Sequence, residues 1–157
     1  MTRIEARLFS VVLLTLVAGV SSCGGKPAPP AGIVLITLDT TRADHLGCYG
    51  DASASTPNLD AFSKEAVRFA QAMAAVPTTL PSHATMFTGE YPPAHGVRYN
   101  GMFKLGEGSV TIAERLRDAG FATGAVPAAY PVYAKSGLAQ GFDVYRDLFS
   151  EPGAEHL

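Results

Sequence analysis

The sequence predicts an α/β domain built around a parallel sheet, and three observations carry that prediction. Residues 33–38 form a near-continuous apolar and β-branched run, as expected of a central strand that is buried on both faces. Thr56-Pro57 supplies a cap residue and a first-turn proline, which together open a helix. A later helix pattern at residues 111–120 precedes a second apolar run at residues 121–126. Strands that alternate with helices in this way are typical of a parallel sheet.

The helices between these runs follow from spacing and from end signals. Apolar residues recur three and four positions apart after Thr56, which gives the first helix an apolar face: Leu59, Phe62, Ala66 and Phe69. Thr111 to Glu114 form a capping box, and the helix that it opens ends at Gly120.

The middle of the chain has weaker signals. Residues 69–76 are small and apolar and indicate a short strand or the approach to one. A helix is predicted over residues 81–87, with Gly89 just past its end, and residues 90–105 are predicted to form a loop.

Composition bounds the function. The 157 residues are 47% apolar and 17% charged, which suits one compact domain and excludes a disordered chain. The net charge of -2 provides no basic footprint, so we expect no nucleic-acid partner. An anionic substrate would have to be neutralised locally, by a metal or by oriented backbone amides.

The N-terminus has the pattern of an export signal. Arg3 and Arg7 precede an uncharged apolar run at residues 8–20, which is shorter than the ~20 residues that a membrane span needs. A basic start followed by such a run is typical of a secretory signal, predicted here at residues 1–22. A buried first helix is the alternative, but the run is not amphipathic.

A lipid anchor is predicted at the end of this signal. Val20-Ser21-Ser22-Cys23 resembles the bacterial lipobox, in which the cysteine is acylated, and a glycine- and proline-rich stretch up to residue 31 suits a tether. Each buried methylene of an acyl chain contributes about 0.8 kcal/mol to membrane binding. We therefore expect an exported, membrane-anchored lipoprotein, in the periplasm, at the outer membrane or at the cell surface. Ordinary cleavage before a free Cys23 is the alternative.

Cys48 is the other cysteine of the chain. With Cys23 acylated, a single thiol cannot form an internal disulfide. Cys48 lies between Gly47 and Tyr49 in a turn-like stretch, so we expect a packing role rather than a nucleophile.

Asp39 follows the first predicted strand directly. Open α/β sheets bind ligands beyond the carboxyl ends of their strands, and a carboxylate there suits a hard or borderline cation. The alternative role is that of a turn or cap residue.

Residues 78–85 place several hydroxyls just before and at the start of a helix. A helix N-terminus has free N–H groups and positive potential, and it favours a bound sulfate or phosphate. A Thr79 hydroxyl beside a metal would lose its proton more easily and could attack an ester. The alternative is an ordinary N-cap residue. In the loop at residues 95–100, His95 could make a structural hydrogen bond, and Asn100 offers an amide donor of the kind that steadies an oxyanion.

Several short motifs occur in a fixed order along residues 32–147. They read LDTTRADHLGCYG at 38–50, TPNLD at 56–60, TLPSH at 79–83, FTG at 87–89, YPP at 91–93, HGV at 95–97 and GFD at 141–143. In this combination they resemble the sulfatase family of the alkaline-phosphatase-like superfamily. The resemblance implies a parallel sheet flanked by helices, of which residues 32–157 would be the N-terminal portion.

Three positions depart from the family pattern. Thr79 stands where sulfatases convert a Cys or Ser to formylglycine, and threonine cannot be converted that way. His83 stands at the motif's arginine, and Thr40 replaces the second of two paired metal-loop acids. Thr79 resembles instead the nucleophile of the phosphodiesterase and phosphonate-ester branches. In nucleotide pyrophosphatases of this kind a later Asn contacts the phosphate, and Asn100 falls where that Asn is expected.

The resemblance therefore implies a metal-dependent hydrolase of small-molecule or glycan sulfate or phosphate esters. The catalytic residues would be Thr79, Asn100 and His83. The metal would be bound by Asp39 and Thr79. It would be Ca²⁺ or Mg²⁺ in a sulfatase-like site and Zn²⁺ in a phosphodiesterase-like site. Thr79 would attack as an alkoxide held by that metal. The alternatives are a phosphodiesterase or phosphotransferase of the same superfamily, and a non-catalytic truncated lipoprotein. The last is included because the family's remaining metal ligands would lie in a C-terminal portion beyond this chain.

Overall fold

The computed structural model describes residues 32–149. The predicted signal (residues 1–22), the predicted acylation site Cys23 and the predicted linker (residues 23–31) lie outside these residues. The chain divides between Val34 and Leu35 into two units, and residues 35–149 are the described part of the second. No helix within residues 32–149 has the length and apolar character required to cross a bilayer.

The sheet consists of two short parallel strands. Strand β1 (Gly124–Ala125) pairs with β2 (Val144–Tyr145), with Gly124 opposite Val144 and Ala125 opposite Tyr145. Strand β1 lies inside the run predicted at residues 121–126, and the predicted parallel order is confirmed. Strand β2 is not marked by any apolar run, and it is held in register by hydrogen bonds between Asp143 and Thr123.

Asp143, at the end of the GFD motif, fastens β2 to β1. Its Oδ2 accepts hydrogen bonds from the N–H of Thr123 (2.8 Å) and from the Thr123 hydroxyl (3.1 Å). These bonds lower the pKa of the Asp143 carboxyl, the backbone one contributing most. Gly141 of the same motif has φ +83°, and a Cβ there would overlap the backbone nitrogen of Glu114. The motif therefore acts here through backbone geometry and strand pairing.

The predicted first strand does not form. Residues 33–38 have no strand partner among the described residues, and their large side chains are exposed, Ile36 by 76% and Leu38 by 54%. A strand exists only through hydrogen bonds to a neighbour, and no described segment supplies them. Residues 69–76 likewise contain no strand. An apolar β-branched run alone was thus not enough to predict a buried strand.

Four α-helices are described. They are α1 (Pro57–Glu65), α2 (Thr79–Thr88), α3 (Pro92–His95) and α4 (Ile112–Asp118). Helix α1 begins at the predicted proline but ends before Ala66, and none of its residues is buried. Its predicted apolar face is therefore unpacked in the described part of the chain. Helix α3 lies inside the predicted loop, and short 3₁₀ turns occur at Ala43–His45, Gly47–Tyr49, Tyr130–Val132 and Ala134–Ser136.

The capping box predicted for α4 is present. The Thr111 hydroxyl accepts the N–H of Glu114 (3.2 Å), and Oε2 of Glu114 accepts the N–H of Thr111 (2.7 Å). Two otherwise unpaired N–H groups at the helix start are satisfied in this way.

Helix α2 is the centre of the hydrophobic core. It ends as predicted, with Gly89 in the left-handed conformation at φ +73°. Its Leu80 and Ala84 are fully buried, and Phe87 packs against the same cluster one turn further on. The other members of the core cluster are Val97, Leu105, Val132 and Leu138, with Ala129 at its margin. The packing fixes α2, and with it the position of the residues at its N-terminus.

Candidate active site at the start of α2

A hydroxyl and a carboxylate meet at the N-terminus of α2. The Thr79 hydroxyl donates a hydrogen bond to Oδ2 of Asp39 across 3.0 Å. Asp39 is exposed and Thr79 half-buried, so a substrate can reach both oxygens. Thr79 is also the first residue of the helix, where the N–H groups are free of intrahelical partners and the potential is positive. The structure thus brings together two predicted site residues that are 40 positions apart.

Asp39 is held by an unusual turn. The N–H of Thr41 donates to the carbonyl of Leu38 at 3.4 Å, and between them Thr40 has φ +57°. Thr40 is the only described residue other than glycine with a positive φ. A β-branched residue in that region is strained, by about 1 to 3 kcal/mol. The strained turn follows the carboxylate directly and so contributes to its placement beside Thr79.

Asn100 caps the start of α2 from a distant loop. The N-cap residue Thr78 makes no side-chain cap bond. Instead, Oδ1 of Asn100 accepts the N–H of Leu80, the second residue of the helix, at 2.8 Å. With Oδ1 engaged in that bond, the amide NH₂ of Asn100 remains a donor for which residues 32–149 supply no acceptor. The predicted oxyanion donor is therefore placed at the same helix end as Thr79.

His83 joins the segment of Asp39 to the first turn of α2. Its Nδ1 lies 2.8 Å from the carbonyl of Thr79, which can only accept, so Nδ1 carries a proton. Its Nε2 lies 3.1 Å from the Thr37 hydroxyl. Both ring nitrogens are engaged and the side chain is buried, 9% exposed. This arrangement suits a positioning residue that fixes Thr37, two positions before Asp39, against the helix.

The oxygens of Asp39 and Thr79 have the chemistry that a hard cation prefers, but their number is small. Magnesium and calcium take six or more oxygen ligands, and the hydrogen bond from Thr79 to Asp39 brings two side-chain oxygens together. Within residues 32–149, no group of three His, Cys, Asp or Glu side chains could enclose a metal. The donors present fit part of a coordination shell.

The segment at residues 38–50, which contains the LDTTRADHLGCYG motif, is tied to α1. The carboxylate of Asp60 accepts the N–H of Cys48 at 2.7 Å and the Thr56 hydroxyl at 3.1 Å. That hydroxyl in turn accepts the N–H of Gly47 at 3.0 Å. A Cβ at Gly47 would lie against the Asp60 carboxylate, which explains the glycine. Cys48 is a free, half-buried thiol in this arrangement, and its contacts fit the predicted packing role.

His95 is buried and hydrogen-bonded away from this cluster. Its Nδ1 accepts the N–H of Val97 at 3.1 Å, which leaves the Nε2 proton for the Thr85 hydroxyl, also at 3.1 Å. Burial lowers the pKa of His95 and outweighs the opposite effect of the Glu90 carboxylate. These contacts fit the structural interpretation of His95.

Sequence reasoning missed two parts of the site, the Thr37 hydroxyl and the Leu80 N–H. Thr37 interrupts the apolar run at residues 33–38 and lies two positions before Asp39, so its side chain points to the same side of an extended chain. A polar residue within an apolar run was the signal that could have predicted a role for Thr37 in the site. No pattern marks the Leu80 N–H, because its partner Asn100 is 20 residues away.

Comparisons with known proteins match the described part of the chain. The family model of the sulfatases matches residues 32–151. The chain is 36% identical over 120 residues to the steryl-sulfatase of Mus musculus, covering 70% of this chain and 19% of that protein. It is 36% identical over 118 residues to arylsulfatase A of Homo sapiens, covering 72% of this chain and 22% of that protein. This chain spans about a fifth of the length of these relatives.

A solved structure has the same fold over most of this chain. The phosphonate monoester hydrolase of Agrobacterium radiobacter matches with a TM-score of 0.59 and 26% identity, over 71% of this chain and 24% of that one. The N-acetylgalactosamine-6-O-sulfatase of Bacteroides thetaiotaomicron is 33% identical over 106 residues, covering 65% of this chain and 21% of that protein. Similarity therefore extends both to sulfatases and to a hydrolase that acts on phosphorus.

Proposed function

Because the chain belongs to the sulfatase family, we propose that it carries the nucleophile end of an ester hydrolase site that cleaves sulfate or phosphate esters. The observation that carries the proposal is the hydrogen bond from the Thr79 hydroxyl to Asp39, at the N-terminus of the central helix. A hydroxyl in that position meets the reacting sulfur or phosphorus where the helix favours a tetrahedral anion.

Thr79 is the attacking group in this proposal. Its oxygen bonds to sulfur or phosphorus, its proton leaves along the hydrogen bond towards Asp39, and the ester oxygen departs with the electron pair of the broken bond. The oxygen of a water molecule then bonds to the sulfur or phosphorus, the bond to the Thr79 oxygen breaks, and the Thr79 oxygen regains a proton as sulfate or phosphate leaves. The Asn100 NH₂ group donates to an oxygen of the transferring group, and His83 holds the first turn of α2 in place.

A divalent cation is part of the proposal, with Asp39 and Thr79 among its ligands. When bound it would lower the pKa of the hydroxyl and balance the charge of the transferring group. A sulfatase-like site would take Ca²⁺ or Mg²⁺, and a phosphodiesterase-like site Zn²⁺. The exposed carboxylate of Asp39 supplies a negative charge, which any of these divalent ions requires from its ligands.

The test compares two isosteric threonine variants of the full chain. Thr79→Val removes the proposed nucleophile, and Thr88→Val removes a hydroxyl at the opposite end of α2, where it donates to the Ala84 carbonyl. Rates are measured on 4-nitrophenyl sulfate and on bis(4-nitrophenyl) phosphate, with Mg²⁺, Ca²⁺ or Zn²⁺. We expect Thr79→Val to abolish turnover and Thr88→Val to retain it.

The outcomes separate the classes of function. Turnover by Thr79→Val equal to that of wild type would refute the mechanism. The better substrate distinguishes sulfate from phosphate chemistry. If wild type turns over neither ester with any of the three metals, the non-catalytic interpretation of the chain replaces the proposal.

The export proposal is separate and rests on sequence alone. The lipobox-like segment that ends at Cys23 supports an acylated, membrane-anchored protein. Cys23→Ser should move the protein from the membrane fraction to the soluble fraction after expression in a bacterium that acylates lipoproteins. A Cys48→Ser control should remain in the membrane fraction, and an unchanged Cys23→Ser distribution would contradict the anchor.

A further inference from the structure

A cleft of about 250 Å³ lies beside the start of α2. Its lining combines aromatic, apolar and basic side chains, among them Leu80, Met102, Lys104, Tyr130, Tyr133 and Lys135. Sites for drug-sized ligands measure roughly 300 to 1,000 Å³, so this cleft suits one ring-sized group.

The cleft borders the candidate active site, because two of its lining residues, Leu80 and Gly101, directly follow Thr79 and Asn100 in the chain. The hydrogen bond from the Leu80 N–H to Asn100 ties these two segments together. An ester whose reacting atom meets Thr79 would therefore extend its organic group into this cleft.

Two lysines give the cleft a positive charge. The Leu105 N–H donates to the Ser136 carbonyl at 2.8 Å, and this bond brings the segments of Lys104 and Lys135 together. Among the described residues that line the cleft, none is acidic, and the ion pairs between described residues include neither lysine. The carboxylate of Asp147 accepts the N–H of Ala134, the residue before Lys135. Asp147 is buried and does not line the cleft.

A flat aromatic surface completes the lining. The rings of Tyr130 and Tyr133 stack with centroids 5.0 Å apart and planes inclined by 11°. Tyr130 is 58% exposed, and Phe149 packs edge-on against it with centroids 5.7 Å apart. Stacked, partly exposed rings are suited to receive another planar group.

The geometry points to a leaving-group subsite for a ring that carries a second anionic substituent. The exposed ring of Tyr130 would pack against the substrate ring, and Lys104 and Lys135 would pair with the substituent. This inference deepens the proposed function and rests on it, because it assigns the organic side of the same ester. It predicts that the preferred substrates are sulfate or phosphate esters of anionic aromatic alcohols.

The test measures binding, so that it is independent of turnover. The full chain is titrated with 4-hydroxybenzoate and with 4-hydroxybenzamide, which match in shape and differ in charge, and affinities are read from nuclear magnetic resonance shifts. The benzoate should bind about 2- to 30-fold more tightly at low salt, the range that two solvent-exposed charge pairs provide. The preference should shrink as salt screens the pairs.

The matched variants assign the effect to the cleft. The double variant Lys104→Met with Lys135→Met keeps the aliphatic stems and should remove the preference for benzoate. Lys64→Met, on the exposed surface of α1, should keep it. Tyr130→Leu should weaken both probes by the same factor, because it removes the stacking surface and no charge.

Several results would overturn the inference. They are equal affinity of wild type for both probes, no saturable binding of either, or a preference that survives the double lysine variant. Inorganic sulfate that displaces the benzoate at equal concentration would show a plain anion site and contradict the aromatic part. If the wild-type protein prefers the benzoate but turns over neither ester, the result would instead count against the proposed function alone.

Discussion

Asn100 combines two roles that substitution can separate. Its Oδ1 accepts the N–H of Leu80 at the start of α2, and its NH₂ is the proposed donor to the transferring group. Asn100→Leu keeps the size of the side chain and removes both functions. Asn100→Asp keeps an oxygen at the capping position and replaces only the donor.

The expected stability changes follow from the cap. Loss of the Leu80 hydrogen bond in Asn100→Leu should lower the free energy of unfolding by about 1 to 2 kcal/mol, as for other side-chain caps. At roughly 2 to 4 °C per kcal/mol for a domain of this size, the Tm should fall by about 2 to 8 °C. In Asn100→Asp the cap is kept, and a negative charge at a helix N-terminus contributes about 0.3 to 1 kcal/mol of stabilisation.

The expected activity changes run differently. Both variants lose the amide donor, and removal of one such donor lowers kcat by about 100- to 1,000-fold. Asn100→Asp also places a negative charge beside an anionic substrate. The stable Asn100→Asp protein should therefore be at least as impaired in turnover as the unstable Asn100→Leu protein.

Thermal unfolding followed by circular dichroism and steady-state rates on the better of the two esters measure the two effects. Asn58→Leu, on the exposed surface of α1, is the control and should change neither. The reasoning is refuted if Asn100→Asp loses as much stability as Asn100→Leu, or if it turns over substrate like wild type.

Two further predictions concern stability. The pKa of buried His95 is lowered in the folded protein, so the unfolded chain takes up the proton first as the pH falls through about 6.5. The free energy of unfolding should then decrease between pH 7.5 and pH 5.5 in urea titrations. This decrease should be smaller in His95→Gln than in wild type, and an equal pH dependence of the two proteins would contradict it. At Thr40, φ +57° strains a β-branched residue, so Thr40→Gly should raise the free energy of unfolding by about 0.5 to 1 kcal/mol. Thr40→Val keeps the branch and should not raise it, and a Thr40→Gly protein less stable than wild type would show that the turn is unstrained.

Local signals determined the helix ends. Thr56-Pro57 opens α1, Gly89 ends α2, and the pair Thr111 and Glu114 caps α4. Each of these depends on groups within four residues of one another, so the sequence contains all the information. The family, which is confirmed, and the prediction of Thr79 as the nucleophile both followed from short motifs in order, which are also local patterns.

Partners far apart in the chain could not be predicted in the same way. The apolar run at residues 33–38 has strand composition but no described strand to pair with, and the apolar face of α1 has no described surface to cover. The composition of a segment indicates only that it can be buried. Burial also requires another part of the protein that packs against it.

The sequence by itself thus predicted the residues of the candidate site, Asp39, Thr79, His83 and Asn100, and the helix near whose start they lie. Only the tertiary structure decided what each side chain contacts. It directed the Thr79 hydroxyl to Asp39, used both nitrogens of His83 for positioning, and made Asn100 the cap of α2. The physical reason is that the bonds of Thr79 to Asp39, of Leu80 to Asn100 and of His83 to Thr37 cross 40, 20 and 46 residues of chain. Their geometry is set by the packing of α2 in the core.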